Sequence, residues 1–248
     1  MISLVIPTYR NPEYLDICLR SAIDNQVNKN EIIVVIDGYV DESKEVIDKY
    51  RDNISVLPLE QNQGMQMALN LGVMNATKEN IMIINDDNVL CKGWDTIYAD
   101  LLDNEVITIN QIEPTGPGIF KYEEFIEYER ELSSNEVSED GGIFPFILKK
   151  KSYMMVGGFD TLYKSPFICD WDFFLKLELA GLSFKRTHSL HFYHFGSTAT
   201  KNGKEGEAFK ATEGPAAETY IYKWGMRPQL FENNSHSPKG KEIKGIKF

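Results

Sequence analysis

The chain has 248 residues, of which 42% are hydrophobic and 25% are charged, so it is long enough for one large domain or two small ones. Its formal net charge of −11 argues against nucleic acid as a partner, because an acidic surface repels phosphate backbones. No apolar run approaches the length of a bilayer span, and the N-terminus lacks the basic flank of a signal peptide, so we expect no transmembrane segment.

The first 110 residues alternate short apolar runs with segments of helical periodicity. Helices are predicted after Asn11, an N-cap residue followed by proline, and at two later segments, 64–76 and 94–102. Strands are predicted at residues 2–7, 32–36, 54–59, 81–84 and 106–109. This alternation implies an α/β fold with a mostly parallel, Rossmann-like sheet and helices on both faces.

Polar residues follow several of these strands, at the edge where open α/β sheets bind their ligands. Residues 8–10 follow the first strand, Asp37 ends the second, and Asp86 and Asp87 end the fourth. Core packing gives no reason for carboxylates to gather at one edge of a sheet. We therefore interpret this edge as a ligand site.

Residues 85–88, Asn-Asp-Asp-Asn, are the most informative segment, because the apolar strand 81–84 runs directly into them. Two adjacent carboxylates repel each other and gain nothing from the core. A divalent cation held by oxygen ligands would explain their presence. The alternative is a solvated turn, since Asn and Asp are ordinary turn residues.

The chain changes character after residue 110. Pro and Gly residues between 114 and 118 mark a loop, and we expect the polar segment 133–142 to be mobile. Lysines 149–151 are interpreted as a solvated run, with contact to a diphosphate as the alternative. The further elements predicted are a helix at 122–131, a strand at 143–148, a lid or plain loop at 201–213, and a last helix at 216–224.

A second acidic constellation lies in segments 157–160, Gly-Gly-Phe-Asp, and 169–172, Cys-Asp-Trp-Asp. The apolar pattern of Phe173, Phe174 and Leu177 predicts a helix that begins near Asp170. Acidic residues are favoured in a first helical turn by the helix macrodipole. One carboxylate at the lip of a pocket could equally serve as a general base.

Three histidines follow within one short segment. In a regular strand, His188 and His191 would face opposite sides, as would His191 and His194, so all three cannot bind one metal. We expect one histidine to join the two aspartates. His194 is the better candidate, because Gly196 can let the chain bend toward the site.

The cysteines and the C-terminal lysines indicate where in the cell the protein is expected to act. Cys18, Cys91 and Cys169 are odd in number and widely spaced, which predicts neither disulfides nor a zinc site and favours a reducing cytoplasm. Lysines between residues 239 and 247 form a basic patch that we interpret as solvated. A peripheral contact with an acidic membrane surface is the alternative.

Taken in order, these segments resemble the family 2 glycosyltransferases of GT-A fold. Each motif is loose alone, but their common order is specific. The resemblance covers roughly residues 1–200, with a further likeness at 222–225. It is carried by an opening strand (6–11), a nucleotide-binding turn (36–43), a helix pattern (62–72), an Asp-x-Asp element (85–89), acceptor-side motifs (157–160 and 170–172) and a late metal histidine (194–197).

The sequence departs from the family pattern at three positions. Asn85 stands at the first position of the Asp-x-Asp element, so metal binding would fall on Asp87, with Asp86 as a second candidate. Cys169 replaces an acidic residue before Asp170, and Ile36 stands where many members carry an acid. These changes bear on donor preference and on the choice of base, and leave the fold expectation intact.

The resemblance implies a metal-dependent inverting glycosyltransferase of the hexosyltransferase type, acting in glycan biosynthesis. It would move a sugar from a UDP- or GDP-sugar to a hydroxyl on a glycan, a lipid-linked molecule or a protein. Residues 1–110 would form the donor-binding half, and residues 111–200 the smaller acceptor-binding and catalytic half of the same domain. Residues 201–248 would form a C-terminal extension with a lid and a helix.

The resemblance also implies roles for individual residues. Asp87 and His194 would hold Mn²⁺ or Mg²⁺. Asp170 would be the general base, with Asp172 as its rival. The acceptor would meet Gly158, Trp171 and Asp172, and packing of Trp171 into the core is an equal alternative. Donor contacts are implied for Pro7, Thr8, Tyr9, Arg10, Asp37, Gln63, Gly64, Asn85 and Asp86.

Two other functions fit part of the pattern. A nucleotidyltransferase of sugar phosphates also combines an α/β sheet with paired aspartates and a metal. It usually carries an early basic, glycine-rich loop, for which Arg10 is a poor substitute. A non-catalytic nucleotide- or sugar-binding relic is the third hypothesis, and the presence of Asp87, Asp170 and His194 argues against it.

Overall fold

The computed structural model describes residues 1–113, 120–138, 142–163, 166–196 and 214–228. The predicted loop at 114–118, the predicted lid or loop at 201–213 and the lysine patch at 239–247 lie outside these residues. The strands are β1 (Ile2–Thr8), β2 (Glu31–Asp37), β3 (Ser55–Leu59), β4 (Asn80–Ile83), β5 (Asn88–Val89), β6 (Glu105–Ile112), β7 (Val137–Ser138), β8 (Phe146–Lys149) and β9 (Ser183–His194). The helices are α1 (Pro12–Asp24), α2 (Val40–Tyr50), α3 (Met65–Asn75), α4 (Tyr122–Leu132), α5 (Lys150–Met155), α6 (Cys169–Leu179) and α7 (Pro215–Trp224), with a 3₁₀ helix at Trp94–Asp100.

All nine strands of the described residues belong to one sheet, in the order β3-β2-β1-β4-β8-β6-β9-β5, with β7 paired to β9. Strands β1, β2, β3, β4, β6 and β9 run in one direction, and β5, β7 and β8 run in the other. The predicted α/β class with a mostly parallel sheet is confirmed.

The order of the strands differs from a simple parallel series in which segment 106–109 comes last. Strand β8, from the second half of the chain, lies between β4 and β6 and is antiparallel to both. Phe146, Ile147 and Leu148 are fully buried, as a strand covered on both faces requires. Both halves of the chain therefore build one sheet.

Helices cover both faces, because alternate residues of each strand point to opposite sides. On one face, α3 packs Ala68, Leu69 and Val73 against the side of β1 that carries Val5. Gly72 lets this helix approach closely, since a Cβ there would lie 2.4 Å from Val5 Cγ1. On the other face, the apolar stripe of α1 packs against strand residues that include Leu4 and Ile6.

Several short or charged elements were not predicted. Helix α2 buries only Ser43 and Tyr50 among its eleven residues, so its apolar pattern is weak. Strands β5 and β7 have two residues each, which is too short for a periodic signal. Strand β7 lies inside the segment that we expected to be mobile.

The lysines at 149–151 lie at the amino end of β4, opposite the predicted ligand edge. Lys149 Nζ donates to Asn80 Oδ1 at 3.0 Å, and Lys150 Nζ donates to the carbonyl of Ala76 at 2.7 Å. These contacts give the lysines a structural role, away from the strand ends that would bind a diphosphate. Among the described residues, no helix has the length and apolar character to cross a bilayer.

Candidate functional site

The predicted ligand edge is formed by the carboxyl ends of three neighbouring parallel strands. Pairing of Thr8 with Ile36 and of Val5 with Ile83 aligns the ends of β1, β2 and β4. The residues that end or follow these strands, including Asp37 and Asp86, therefore gather at one edge of the sheet. Pro7 lies within β1, where it is buried next to β2 and precedes this edge.

Asp86 joins the turn after β4 to the turn after β1. Its Oδ2 accepts a hydrogen bond from Thr8 Oγ1 at 2.7 Å, and its Oδ1 accepts one from Asn11 Nδ2 at 3.1 Å. Burial and the adjacent Asp87 raise the pKa of Asp86 to about 7, against the opposing effect of these two donors. Asp86 thus has a structural role, whereas the side chain of Asp87 lies beside His194.

Asp87 meets His194 because β5 pairs with the end of β9. Asn88 pairs with His194, and Phe195 N donates to the carbonyl of Asp87 at 3.1 Å. His194 Nε2 lies 3.4 Å from Asp87 Oδ1, and His194 Nδ1 lies 2.9 Å from Glu113 Oε1. Burial lowers the pKa of His194, but the carboxylates of Asp87 and Glu113 outweigh it, so the pKa is raised.

The Asp87–His194 pair fits a divalent cation. His194 Nε2 is buried and has no hydrogen-bond partner within the described part of the chain. Two neighbouring ligands of an octahedral ion lie about 3 Å apart, close to the spacing of these two atoms. No group of three or more His, Cys, Asp or Glu side chains in the described ranges forms a complete metal site. An ion here would take its other oxygens from water and phosphate, as Mg²⁺ commonly does.

The other two histidines lie apart from this pair. His188 Nδ1 lies 2.9 Å from Asn110 Nδ2, and His188 Nε2 lies 3.3 Å from Ser138 Oγ. His191 is buried, which lowers its pKa. Of these three histidines, His194 alone lies beside Asp87. Gly196 has a φ of +86°, which turns the backbone just after this residue.

Asp37 holds the loop that precedes α3. Its Oδ1 accepts from Gln63 N at 2.6 Å, and its Oδ2 accepts from Gly64 N at 2.9 Å. Burial raises the pKa of Asp37, and these two hydrogen bonds oppose the rise. Gly38 has a φ of +81°, and a Cβ there would lie 2.7 Å from Asn62 N. The turns after β2 and β3 therefore touch through their backbones.

Tyr39, which the sequence analysis did not single out, forms an exposed aromatic surface next to this loop. Its ring is 5.8 Å from that of Tyr9, and the Arg10 guanidinium lies 4.6 Å above it. Arg10 Nε also lies 3.2 Å from Glu42 Oε2. A groove of about 690 Å³ beside it is lined by Tyr39, Val40, Asp41, Glu42, Glu60, Gln61 and Asn62.

Asp170 lies in the first turn of α6 and is partly exposed. Its Oδ1 accepts a hydrogen bond from Trp171 N at 3.0 Å. Ile168, at the N-cap, has a φ of +68°, which is strained for a β-branched residue. The turn at Ile168 orients the start of α6, and Asp170 lies in the first turn of that helix.

Asp172 is completely buried. Its Oδ1 lies 2.8 Å from both Trp224 Nε1 and Lys223 Nζ, and its Oδ2 lies 3.6 Å from Lys176 Nζ. These partners favour a structural role for Asp172 over the roles of rival base and acceptor contact. Trp171 is likewise buried in the core.

Gly158 is buried against α3. It has a φ of +67°, and a Cβ there would lie 2.4 Å from Asn70 Oδ1. The same Oδ1 accepts from Phe159 N at 2.9 Å, and Asn70 Nδ2 donates to the carbonyl of Phe159 at 2.8 Å. The absence of a side chain at Gly158 therefore allows the 157–160 segment to pack against Asn70 of α3. This favours a packing role for Gly158 over contact with the acceptor. The sequence predicted no role for Asn70, within the 62–72 motif, or for Glu113, because these roles depend on contacts with distant residues.

Comparisons with known proteins agree with the fold. The family model described as Glycosyl transferase family 2 matches residues 3–166. The chain is 31% identical over 109 residues to the glycosyltransferase GlyG of Streptococcus pneumoniae, covering 42% of this chain and 36% of that protein. It is 25% identical over 187 residues to an uncharacterized glycosyltransferase of Haemophilus influenzae, covering 71% and 62% respectively. The chain thus spans about one to two thirds of the length of these relatives.

Two solved structures share the architecture. Residues 1–349 of S. aureus TarS in complex with UDP-GlcNAc align with a TM-score of 0.63 and 19% identity, covering 84% of this chain and 61% of that one. GalNAc-T7 with UDP, GalNAc and Mn²⁺ aligns with a TM-score of 0.62 and 15% identity, covering 79% and 44%. At these identities the likeness establishes a shared fold, the GT-A fold.

Proposed function

The chain belongs to glycosyl transferase family 2, and from that premise we propose that it moves a sugar from a nucleoside-diphosphate sugar to an acceptor hydroxyl, with inversion at the anomeric carbon. The observation that carries the proposal is the buried Asp87–His194 pair at the carboxyl edge of the sheet, in which Nε2 makes no hydrogen bond to any residue that the structure describes. This is the edge at which open α/β sheets bind ligands.

The nucleotide would lie along the ends of β1 and β2. Asp37 orders the loop that contains Gln63 and Gly64, and Tyr39 offers an exposed ring beside a groove of suitable size for a base and ribose. The solved structures named above were obtained with UDP or UDP-GlcNAc, which supports a uridine nucleotide as the first donor to test. In this proposal residues 1–110 remain the donor-binding half.

Asp87 and His194 would hold Mn²⁺ or Mg²⁺ beside the donor. When bound, such an ion supplies positive charge that stabilises the departing diphosphate as a Lewis acid. Asp87 would contribute an anionic oxygen, and the neutral form of His194 would contribute Nε2, which faces Asp87 and is shielded from water. Asp86 keeps the turn in place through Thr8 and Asn11.

Asp170 would act as the general base. The acceptor oxygen attacks the anomeric carbon, the bond from that carbon to the diphosphate oxygen breaks, and the proton of the acceptor hydroxyl passes to the Asp170 carboxylate. Attack from the face opposite the leaving group inverts the configuration, and one carboxylate is sufficient. The partial exposure of Asp170 at the start of α6 supports this role, whereas Asp172 is enclosed.

The experiment that tests the proposal is a panel of UDP- and GDP-sugars assayed for release of nucleoside diphosphate with Mn²⁺ and with Mg²⁺. We expect metal-dependent release from at least one nucleoside-diphosphate sugar, increased by the correct acceptor. A nucleotidyltransferase would instead consume a nucleoside triphosphate and a sugar phosphate. A binding relic would be stabilised by the donor without releasing diphosphate, and either result would contradict the proposal.

A further inference from the structure

We propose that Glu113 is a positioning residue, which holds the His194 ring with its proton on Nδ1 so that Nε2 is presented to the ion beside Asp87. This inference rests on the proposed function, and it adds a residue that no sequence motif indicated. Glu113 lies just beyond the end of β6, and His194 ends β9.

The geometry around the His194 ring is asymmetric. Nδ1 lies 2.9 Å from Glu113 Oε1, whereas Nε2 has no hydrogen-bond partner within the described ranges and lies 3.4 Å from Asp87 Oδ1. Glu113 Oε1 lies within hydrogen-bond distance of Nδ1 and can only accept, which places a proton on Nδ1. In the neutral ring, Nε2 then carries the lone pair that a cation beside Asp87 would take. This is the arrangement in which a histidine binds a metal through one nitrogen and a carboxylate orients it through the other.

An irregularity in β9 brings Glu113 and His194 together. Ile109 pairs with Thr187, but the next residue, Asn110, pairs with His191, so residues 188–190 are extra on β9. With this shift, Ile112 pairs with Tyr193, and Glu113 follows beside His194. Continued pairing in the original register would instead have placed residue 113 beside residue 191.

Side chains at the irregularity keep the shifted register. Asn110 Nδ2 donates to the carbonyl of Thr187 at 3.2 Å and lies 2.9 Å from His188 Nδ1. Bulges of this kind often redirect a side chain next to a functional site. Here the extra residues bring His194 to the carboxylate on β6 while β5 brings Asp87 to its other side.

The effect of Glu113 should be moderate, because its side chain is 63% exposed whereas that of His194 is 11% exposed. Loss of a carboxylate behind a metal-binding histidine typically weakens metal affinity by about 10- to 100-fold. Solvent screens this carboxylate, so we expect Glu113→Ala to raise the Kd for Mn²⁺ by about tenfold.

The test measures Mn²⁺ binding to the full chain in the presence of UDP, by electron paramagnetic resonance of the free ion. The variants are Glu113→Ala, Glu113→Gln, His194→Ala and the double variant of Glu113→Ala with His194→Ala. Glu113→Gln retains an oxygen acceptor and should restore most of the affinity. Pulsed electron paramagnetic resonance of the bound Mn²⁺ should show hyperfine coupling to the imidazole ¹⁴N in the wild type and in Glu113→Gln. This coupling should be weaker in Glu113→Ala and absent in His194→Ala.

The double variant separates positioning from a through-space charge effect. If Glu113 acts through His194, its removal should cause no further loss in the His194→Ala background. Glu123→Ala, which removes an exposed glutamate on α4, is the matched control and should bind as the wild type does. Equal losses in both backgrounds would overturn the inference.

The failures of the two proposals can be told apart. Mn²⁺ binding that is lost in Asp87→Ala but unchanged in Glu113→Ala would overturn the positioning role alone. Absence of Mn²⁺ binding by the wild-type chain with UDP would overturn both the metal-dependent function and this inference.

Discussion

At the scale of single residues, the adjacent carboxylates of Asp86 and Asp87 have different partners. Asp86 accepts hydrogen bonds from Thr8 and Asn11 and so joins two turns of the sheet edge. Asp87 faces His194, whose Nε2 needs a proton or a cation as its partner. Their side chains meet different partners, because β5 begins immediately after Asp87 and pairs with β9, which carries His194. Substitutions at the two positions should therefore have different consequences.

Asp87→Ala should abolish the stabilisation that a nucleoside-diphosphate sugar gains from Mn²⁺, because one of the two proposed protein ligands is removed. At a donor concentration of 100 times Kd, the wild type should gain about 2.7 kcal/mol, which thermal unfolding with and without Mn²⁺ would detect. Asp52→Ala, at an exposed position before β3, is the matched control. A metal-dependent shift that survives in Asp87→Ala would contradict the assignment.

Asp170→Asn should retain donor affinity and lose transfer. An amide cannot accept the acceptor's proton, and loss of a general base typically lowers kcat by about 10²- to 10⁴-fold. Donor binding by calorimetry and product formation under saturating donor measure the two properties separately. Unchanged turnover would refute Asp170 as the base, and a matching loss of donor affinity would show that it has a different role.

At the element scale, α7 is joined to the acceptor-side segments by ion pairs of half-buried Lys223 with half-buried Asp160 and fully buried Asp172. Lys223 Nζ lies 2.6 Å from Asp160 Oδ2 and 2.8 Å from Asp172 Oδ1. Burial lowers the pKa of Lys223, but the two carboxylates outweigh it, so the pKa is raised. Both this helix and α6 lie beyond the residues that the family model matches, and the ion pair of Lys223 with Asp172 joins the two helices.

Lys223→Ala should destabilise the folded chain by about 3 kcal/mol, the low end for breaking a buried ion pair, because Lys176 remains near Asp172. Denaturant-induced unfolding measures the change. Lys44→Ala, at an exposed position on α2, should change stability by less than about 0.5 kcal/mol. A similarly small effect of Lys223→Ala would show that α7 is not held by these charges.

Asp95 anchors the connection between α1 and β2 to the 3₁₀ helix. Its carboxylate accepts from the backbone N–H groups of Val27 and Asn28, both at 2.8 Å, and from Asn30 Nδ2 at 2.9 Å. Burial raises the pKa of Asp95, but these hydrogen bonds outweigh it, so the pKa is lowered. The carboxylate therefore stabilises the folded chain above its unfolded pKa, which is about 4.

Asp95→Asn should cost about 1–3 kcal/mol at neutral pH, because backbone donors lose an anionic acceptor. The wild-type advantage should shrink as the pH falls below about 4 and the folded carboxyl is protonated. Unfolding free energies of both proteins between pH 3 and pH 7, with exposed Asp52→Asn as control, measure this dependence. A difference independent of pH would contradict the electrostatic origin.

The sequence could predict the strands that end at the site, because long apolar runs followed by Asp37 or by Asp86 are local signals. It also favoured His194 among three histidines. It could not predict β5, whose two residues carry no periodicity, or the register shift that places Glu113 beside His194. It also could not distinguish Asp170 from Asp172 by burial, since two partners of Asp172, Lys223 and Trp224, come from a helix some fifty residues later.

At the scale of the whole molecule, charge and site must be considered together. The chain has a formal net charge of −11, so it repels the negatively charged diphosphate of a nucleotide-sugar donor as the donor approaches. Arg10, at the carboxyl edge, is already paired with Glu42. Positive charge supplied by a divalent ion at Asp87 and His194 would therefore be important for donor binding. The binding of the donor should accordingly depend on the metal.

A crystal structure with Mn²⁺ and UDP, with anomalous scattering to locate the metal, would show whether an ion links Asp87 and His194 to the nucleotide. We expect an anomalous peak within about 2.3 Å of both Asp87 Oδ1 and His194 Nε2, with the diphosphate completing the coordination. A nucleotide bound with no metal between these two atoms, or a metal bound elsewhere, would contradict metal-dependent donor binding at Asp87 and His194.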